Sequence, residues 1–251
     1  MSSTVAGTRV DLVLPAHNEE HSIEGVIRDF YEICATKGGL DLHFIISEDG
    51  SSDATAAVIE ALAAELPITL IHTDYRKGYS RAVIDGMLAS TAPLVATCDS
   101  DGQYDPAGLL DLVSAIDGHQ VAFGYRNPRH DPPIRKVMSG AFKMAYEIFQ
   151  SARFKDPSCP FDLFSRESLE VLVLNNPKVP LMPQGLWWEM SARIVGMGLD
   201  VVEVPVAHRK RDEGGSVVYK PRKMPRIVAD NLFGLWLTKG DIEYQRAQRG
   251  R

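Results

Sequence analysis

Two aspartates one residue apart, Asp99 and Asp101, close the apolar run Leu94-Val95-Ala96-Thr97-Cys98, and Gly102 and Gln103 follow at once. An apolar run of this length bounded by turn residues reads as a buried strand. In an open α/β sheet, ligands sit outside the carboxyl ends of the strands. Asp99 and Asp101 share one orientation there and can both face a divalent cation, with Gln103 offering a third oxygen. Hard cations such as Mg²⁺ take oxygen ligands and share them with substrate phosphates. Asp-Ser-Asp-Gly is also ordinary turn chemistry, so the pair alone leaves both readings standing.

Two further apolar runs end in the same way. Val10 to Pro15 runs into Ala16-His17-Asn18-Glu19-Glu20, and Leu42 to Ser47 runs into Glu48-Asp49-Gly50-Ser51-Ser52-Asp53. Carboxylates gathered on one sheet edge repel one another unless something cationic joins them. A metal ion carrying a nucleoside diphosphate satisfies that need. There is no G-x-x-x-x-G-K-[ST], and no G-x-G-x-x-G after the first run, which argues against a P-loop or dinucleotide-binding enzyme.

The elements that must position these groups alternate regularly. The spacing predicts helices over Ser22–Thr36, Ala54–Leu66, Gly78–Ala89 and Pro106–Ile116, and strands at Ile68–His72 and Leu94–Cys98 besides the first two. A β-α-β-α order predicts a mostly parallel, doubly wound sheet. From Val121 the pattern changes. Val121–Gly124 reads as a strand, Asn127–Pro133 as a loop, and Arg135–Ala152 as a helix. Asp156–Pro160 is irregular, and Phe161–Phe164 leads into a helix over Arg166–Leu174. A helix from Trp187 to Met197, a strand from Val201 to Val206 and a glycine-bearing basic stretch from Arg209 to Ser216 follow. The chain closes with an amphipathic helix over Arg222–Leu237. This divides the chain into a catalytic domain at 1–220, with a nucleotide half at about 9–120 and an acceptor half at about 121–220, and a C-terminal helix and tail at 221–251.

The 251 residues are 45% hydrophobic and 24% charged, ordinary for a globular protein. A net charge of −6 argues against a nucleic-acid binder, although 126–136 and 208–226 are locally basic. Three cysteines without a pairing pattern, Cys34, Cys98 and Cys159, fit a reducing cytosol. The seven histidines show no metal-ligand spacing. No signal peptide precedes the first strand and no run of eighteen apolar residues occurs, so a cytoplasmic location is expected.

Taken together, these stretches resemble the family 2 glycosyltransferases of the GT-A fold, a Rossmann-like α/β architecture. Leu14-Pro15-Ala16-His17-Asn18-Glu19 is similar to that family's V-P-x-x-N-E opening, and Glu48-Asp49-Gly50-Ser51-Ser52-Asp53 to its D-D-G-S-x-D. Gly78-x-x-x-Ala82-x-x-x-Gly86 and Asp99-Ser100-Asp101 complete four motifs in the family's order. Within it the chain looks most like the polyprenol-phosphate sugar synthases, through Gln103, Arg126, the Arg135-x-x-x-Ser139 pair and Arg211-x-x-Gly214-x-Ser216. Departures are Glu48 for the usual Asp, Val217 for Lys, Gly102 for an apolar residue, and the bulk of Trp187-Trp188.

The resemblance implies a metal-dependent, inverting hexosyltransferase that takes a UDP- or GDP-sugar and a polyprenyl phosphate, with Mg²⁺ or Mn²⁺. It implies nucleotide contacts from Pro15, Ala16, His17, Glu19, Asp49, Lys77, Asp99 and Ser100, and metal contacts from Asp99, Asp101 and Gln103. Arg126, Arg135, Ser139, Trp187, Trp188 and Ser216 fall on the acceptor side, where a guanidinium fork suits phosphate. Arg211 sits in a loop able to close over the diphosphate. A phosphate monoester is already a nucleophile; a hydroxyl acceptor needs a base, for which Glu189 and Asp156 are the candidates. A soluble hydroxyl acceptor, such as a cell-envelope or natural-product glycan intermediate, and a catalytically silent sugar-nucleotide binder are the competing readings. Peripheral contact with the inner face of a membrane and homo-oligomerisation stay open.

Overall fold

The computed structural model describes residues 5–128, 133–176, 179–181, 185–209 and 224–249, with backbone alone at 133–139, 141, 224–228 and 249. Seven strands form one sheet: β1 (Arg9–Ala16), β2 (Asp41–Glu48), β3 (Ile68–Ile71), β4 (Leu94–Thr97), β5 (Val121–Arg126), β6 (Asp162–Ser165) and β7 (Val201–Val206). Their order is β3-β2-β1-β4-β6-β5-β7. β1 pairs in parallel with both β2 and β4, and β5 with β7, while β6 runs antiparallel to β4 and to β5. The sheet is therefore mostly parallel, as the alternation predicts. Only the reversal at β6 departs from it.

The helices are α1 (Ile23–Phe30), α2 (Thr55–Ala63), α3 (Tyr79–Ala89), α4 (Ala107–Ala115), α5 (Pro133–Gln150), α6 (Arg166–Leu169), α7 (Leu186–Gly196) and α8 (Met224–Arg249). Ile23, Val26, Ile27 and Phe30 recur at helical spacing and are the buried residues of α1. The expected continuous helix to Thr36 instead widens into π-helical turns over Tyr31–Lys37. The widening turns Cys34 into the core, where its Sγ donates to the Pro106 carbonyl (3.2 Å). The Gly78/Ala82/Gly86 spacing is explained by packing: Ala82 is buried, and a Cβ on Gly86 would strike the Val13 side chain of β1. α3 thus lies close on β1, which fixes where its first residues meet the sheet edge.

α8 extends twelve residues beyond the expected Leu237. Leu235, Thr238 and Ile242 form its buried face, whereas Phe233 and Trp236 stack on each other in solvent (ring centroids 5.9 Å). Among the described residues, no helix is long and apolar enough to cross a membrane.

Asp162, at the start of β6, is fully buried. Its Oδ1 accepts from Gly124 N (2.8 Å), and its Oδ2 has no partner among the described residues. Burial pushes its pKa well above the ordinary 3.8, because the charged form loses its hydration there. A carboxyl with a raised folded-state pKa contributes stability that is complete below the unfolded value and is lost as pH rises through the folded one. Asp162→Asn removes this titration. The stability of Asp162→Asn relative to wild type is expected to climb by about 1.4 kcal/mol per pH unit above about pH 4, up to the raised pKa. Urea titrations at several pH values check it, and a pH-independent difference contradicts it.

Candidate active site

Parallel strands deliver their carboxyl ends to one edge, and the three polar clusters meet there. β1 ends at Pro15-Ala16, β2 at Glu48 with Asp49 next, and β4 at Thr97 just before Asp99-Ser100-Asp101. A cleft of about 260 Å³ opens over these ends. It is lined by Pro15, Ala16, His17, Glu19, Asp49, Arg76, Tyr79, Ala82, Asp99, Ser100 and Asp101. Of the residues expected to contact nucleotide, only Lys77 is missing from the lining.

Hydrogen bonds hold the lining in place. Ser100 Oγ donates to Pro15 O (2.7 Å), fastening the aspartate turn to the end of β1. His17 Nδ1 lies 2.9 Å from Asp49 O. Glu19 Oε2 accepts from Ser22 Oγ (2.5 Å). Asp49, expected at the nucleobase, accepts Lys77 N on Oδ1 (2.6 Å) and Gly78 N on Oδ2 (2.8 Å), so it also clamps the turn that leads into α3. Lys77 directs its ammonium to Asp85 instead of into the cleft. Behind Asp49, the buried Glu48 carboxylate receives His72 Nδ1 (2.6 Å), and hydrogen bonds from Ser51 and His72 hold its pKa below the usual range against the cost of burial.

Asp99 Oδ1 accepts from the Tyr79 hydroxyl (2.6 Å), which in turn accepts from Trp187 Nε1 (2.9 Å). Asp101 Oδ1 accepts from Gln103 N (3.1 Å). Gln103 is also tied to the chain beyond β7: its Nε2 donates to Arg209 O (3.0 Å) and its O accepts from Arg209 N (2.7 Å). Cys98 beside them is inert. Burial and the two neighbouring carboxylates push its thiol well up, so it stays protonated.

The acceptor-side residues are placed differently from the expectation. Arg126 and Asp156, read as a phosphate ligand and a base, are partners of one another. Arg126 Nε and Nη2 donate to Asp156 Oδ2 and Oδ1 (2.6 and 2.9 Å), with Asp156 buried. A carboxylate held in a guanidinium fork is a weak proton acceptor, because taking the proton would break the pair. Glu189 is fully buried in α7, where its Oε1 accepts from Arg193 Nε and Nη2 (3.0 and 2.8 Å) and its Oε2 from Leu181 N (2.9 Å). Burial raises its pKa and Arg193 opposes the rise. Neither carboxylate lines the cleft. Trp188 is buried against Phe142 (6.1 Å), and Trp187 reaches the cleft through Tyr79. Arg135 and Ser139 share α5, with backbone alone described, and Arg211, Gly214 and Ser216 lie outside the described residues. Arg76 and Tyr79 are the site residues that sequence reasoning missed. The Arg76-Lys77-Gly78 step before a helix was the available signal.

A mostly parallel sheet with a carboxylate pair on the turn after β4, under a cleft spanning β1, β2 and β4, is the architecture of a GT-A-type fold. The chain belongs to the glycosyl transferase family 2, which it matches over residues 11–172. It is 25% identical over 224 residues to the undecaprenyl-phosphate 4-deoxy-4-formamido-L-arabinose transferase of Pseudomonas fluorescens, covering 88% of this chain and 63% of that protein. It is 30% identical to glycosyltransferase AglD of Haloferax volcanii, over 82% of this chain and 34% of that one. It is also 30% identical to an uncharacterized glycosyltransferase of Mycobacterium tuberculosis, over 85% and 91%. The chain therefore spans less than two thirds of the first two relatives. Among solved structures it is similar to glucosyl-3-phosphoglycerate synthase from Mycobacterium tuberculosis in complex with UDP (TM-score 0.67, 21% identity, 93% of this chain and 81% of that one). It is likewise similar to the mannosyltransferase PcManGT from Pyrobaculum calidifontis in complex with GDP-Man and Mn²⁺ (TM-score 0.61, 17% identity, 100% and 78%).

Proposed function

We propose that this chain transfers a hexose from a UDP- or GDP-sugar to a polyprenyl phosphate, with inversion and with Mg²⁺ or Mn²⁺. The observation that carries the reading is the meeting of Asp49, Asp99 and Asp101 in one cleft at the strand ends. Among the described residues, no group of three or more His, Cys, Asp or Glu converges to cage a metal. Two carboxylates on one turn instead suit a cation that shares its coordination with substrate phosphates. Asp101 and Asp99 would hold it, with Gln103 beside them; once bound, it neutralises charge growing on the leaving diphosphate.

The chain's own residues do the rest. His17, Glu19 and Asp49 shape the nucleoside end of the cleft, and Ser100 fixes the height of the aspartate turn against β1. The Arg126–Asp156 pair acts as scaffold under the acceptor half, and the basic residues Arg135 and Arg211 remain the proposed phosphate contacts. A phosphate oxygen attacks the anomeric carbon in line without a proton acceptor, which agrees with Asp156 and Glu189 both being paired. The name of the Pseudomonas fluorescens relative supports a lipid-phosphate acceptor. On this reading the protein works peripherally at the inner face of a membrane.

The test offers wild type a panel of nucleotide sugars with and without Mn²⁺, then short-chain polyprenyl phosphate, the corresponding alcohol and soluble glycosides. One nucleotide class is expected to stabilise the fold only with cation, by about 2.7 kcal/mol at 100 times its Kd. Sugar is expected on the phosphate with inverted anomeric configuration, and none on the alcohol. Transfer to soluble glycosides alone overturns the acceptor, and cation-independent binding overturns the metal.

A further inference from the structure

Tyr79 opens α3 directly after Gly78, whose φ of +101° lets the chain turn sharply into the helix. The residue is 40% exposed at the cleft, yet its hydroxyl makes two hydrogen bonds, to Asp99 Oδ1 (2.6 Å) and with Trp187 Nε1 (2.9 Å). The chemistry of these groups fixes the direction of the chain. An indole N–H can only donate, and a phenol has one proton and two acceptor sites. The Tyr79 oxygen must therefore accept from Trp187, and its proton must go to Asp99. Such a chain polarises each bond along it, and the last one is made to a carboxylate, where hydrogen bonds are strongest.

The three residues come from different parts of the fold. Asp99 follows β4, Tyr79 begins α3, and Trp187 lies in the first turn of α7, across 108 residues of chain. Trp187 is only 7% exposed, so its indole is held by the core of the acceptor half. We infer that Tyr79 is a positioning residue that, oriented by Trp187, holds Asp99 through Oδ1 and so fixes that carboxylate in the cleft for the cation. α7 thereby sets the geometry of the donor site. The inference rests on the donor reading above, and it assigns to Tyr79 and Trp187 a role in donor binding instead of in acceptor contact.

The test is a double-mutant cycle read by calorimetry, with UDP and GDP as probes in the presence and absence of Mg²⁺. Tyr79→Phe keeps the ring and removes the hydroxyl; Trp187→Phe keeps an aromatic and removes the donor. Tyr79→Phe is expected to weaken the Mg²⁺-dependent affinity about tenfold and to leave the Mg²⁺-independent affinity unchanged. Trp187→Phe is expected to weaken it about threefold, and the double variant to bind no worse than Tyr79→Phe, since the effect of Trp187 passes through the hydroxyl. Melting midpoints without ligand should stay together, which separates positioning from loss of fold. Wild-type affinity in Tyr79→Phe, or losses that multiply in the double variant, overturns the inference. Absence of Mg²⁺-dependent nucleotide binding in wild type instead removes the donor reading, and the inference with it.

Discussion

Asp101→Ala is expected to lower kcat/KM by about a thousandfold, equivalent to about 4 kcal/mol of transition-state stabilisation. The reasoning is electrostatic. A nucleoside diphosphate leaves with growing negative charge, and the proposed cation, held chiefly by Asp101, offsets it in the cleft between β1 and β4. The Asp101 carboxylate accepts a turn hydrogen bond from Gln103 N at 3.1 Å, and the residue is only partly buried. A hydrogen bond at a partly exposed turn is worth about 1 kcal/mol of stability, far less than the catalytic loss. The variant should therefore remain folded, and its nucleotide affinity should lose its response to Mn²⁺. Calorimetry with UDP and GDP, with and without Mn²⁺, checks the assignment, and an unchanged Mn²⁺ response in Asp101→Ala removes it.

Arg193→Ala should be the most damaging substitution for stability, by about 3–5 kcal/mol. Arg193 is fully buried, and its guanidinium is engaged on both sides: Nε and Nη2 with Glu189 Oε1, and Nη1 with Asp241 Oδ2 of α8 (2.7 Å). Truncation leaves Glu189 charged or forced to protonate in the core, and unfastens α7 from α8. The same network separates two roles for Glu189. A general base replaced by its amide loses about 10²–10⁴ in rate. A paired scaffold residue loses stability and keeps its turnover. Glu189→Gln is expected to hold kcat within about threefold while unfolding at lower urea than wild type. A collapse in kcat with unchanged stability would restore the base.

The part of the chain up to β4 was legible because its signals are local. Each apolar run is a strand, each ends in its own polar cluster, and a parallel sheet carries those ends to one edge without further information. Asp99, Asp101 and Asp49 could thus be placed in one cleft from spacing alone. The part of the chain from β5 onward resisted because its charges find partners far along the chain. Arg126 meets Asp156 across 30 residues, and nothing near either one announces the pair. Glu189 and Arg193 are the exception. They stand four apart on a helix, Glu first, which is the favoured orientation for such a pair, and the spacing was present in the sequence. What spacing does not reveal is that this pair faces the core. Tyr79, the first residue of α3, carries no local signal, since its hydroxyl finds Trp187 across 108 residues of chain.

The reversed strand β6 has a consequence for how the protein is made. Among the described residues it is the strand that links β4 to β5 in the sheet order. As the chain leaves the ribosome, β1 to β4 can pair as soon as they are out, but one flank of β4 stays bare until residues 162–165 arrive, roughly 65 residues later. At synthesis rates of about 5–20 residues per second that interval lasts several seconds. For that time the nascent chain carries an exposed sheet edge, the feature folded proteins take care to cover because it recruits strands from other molecules. β5 emerges early and has to wait for a strand encoded after it, a long-range closure of the kind that slows folding. That edge is therefore uncovered during translation, and a ribosome stalled between β5 and β6 would prolong its exposure.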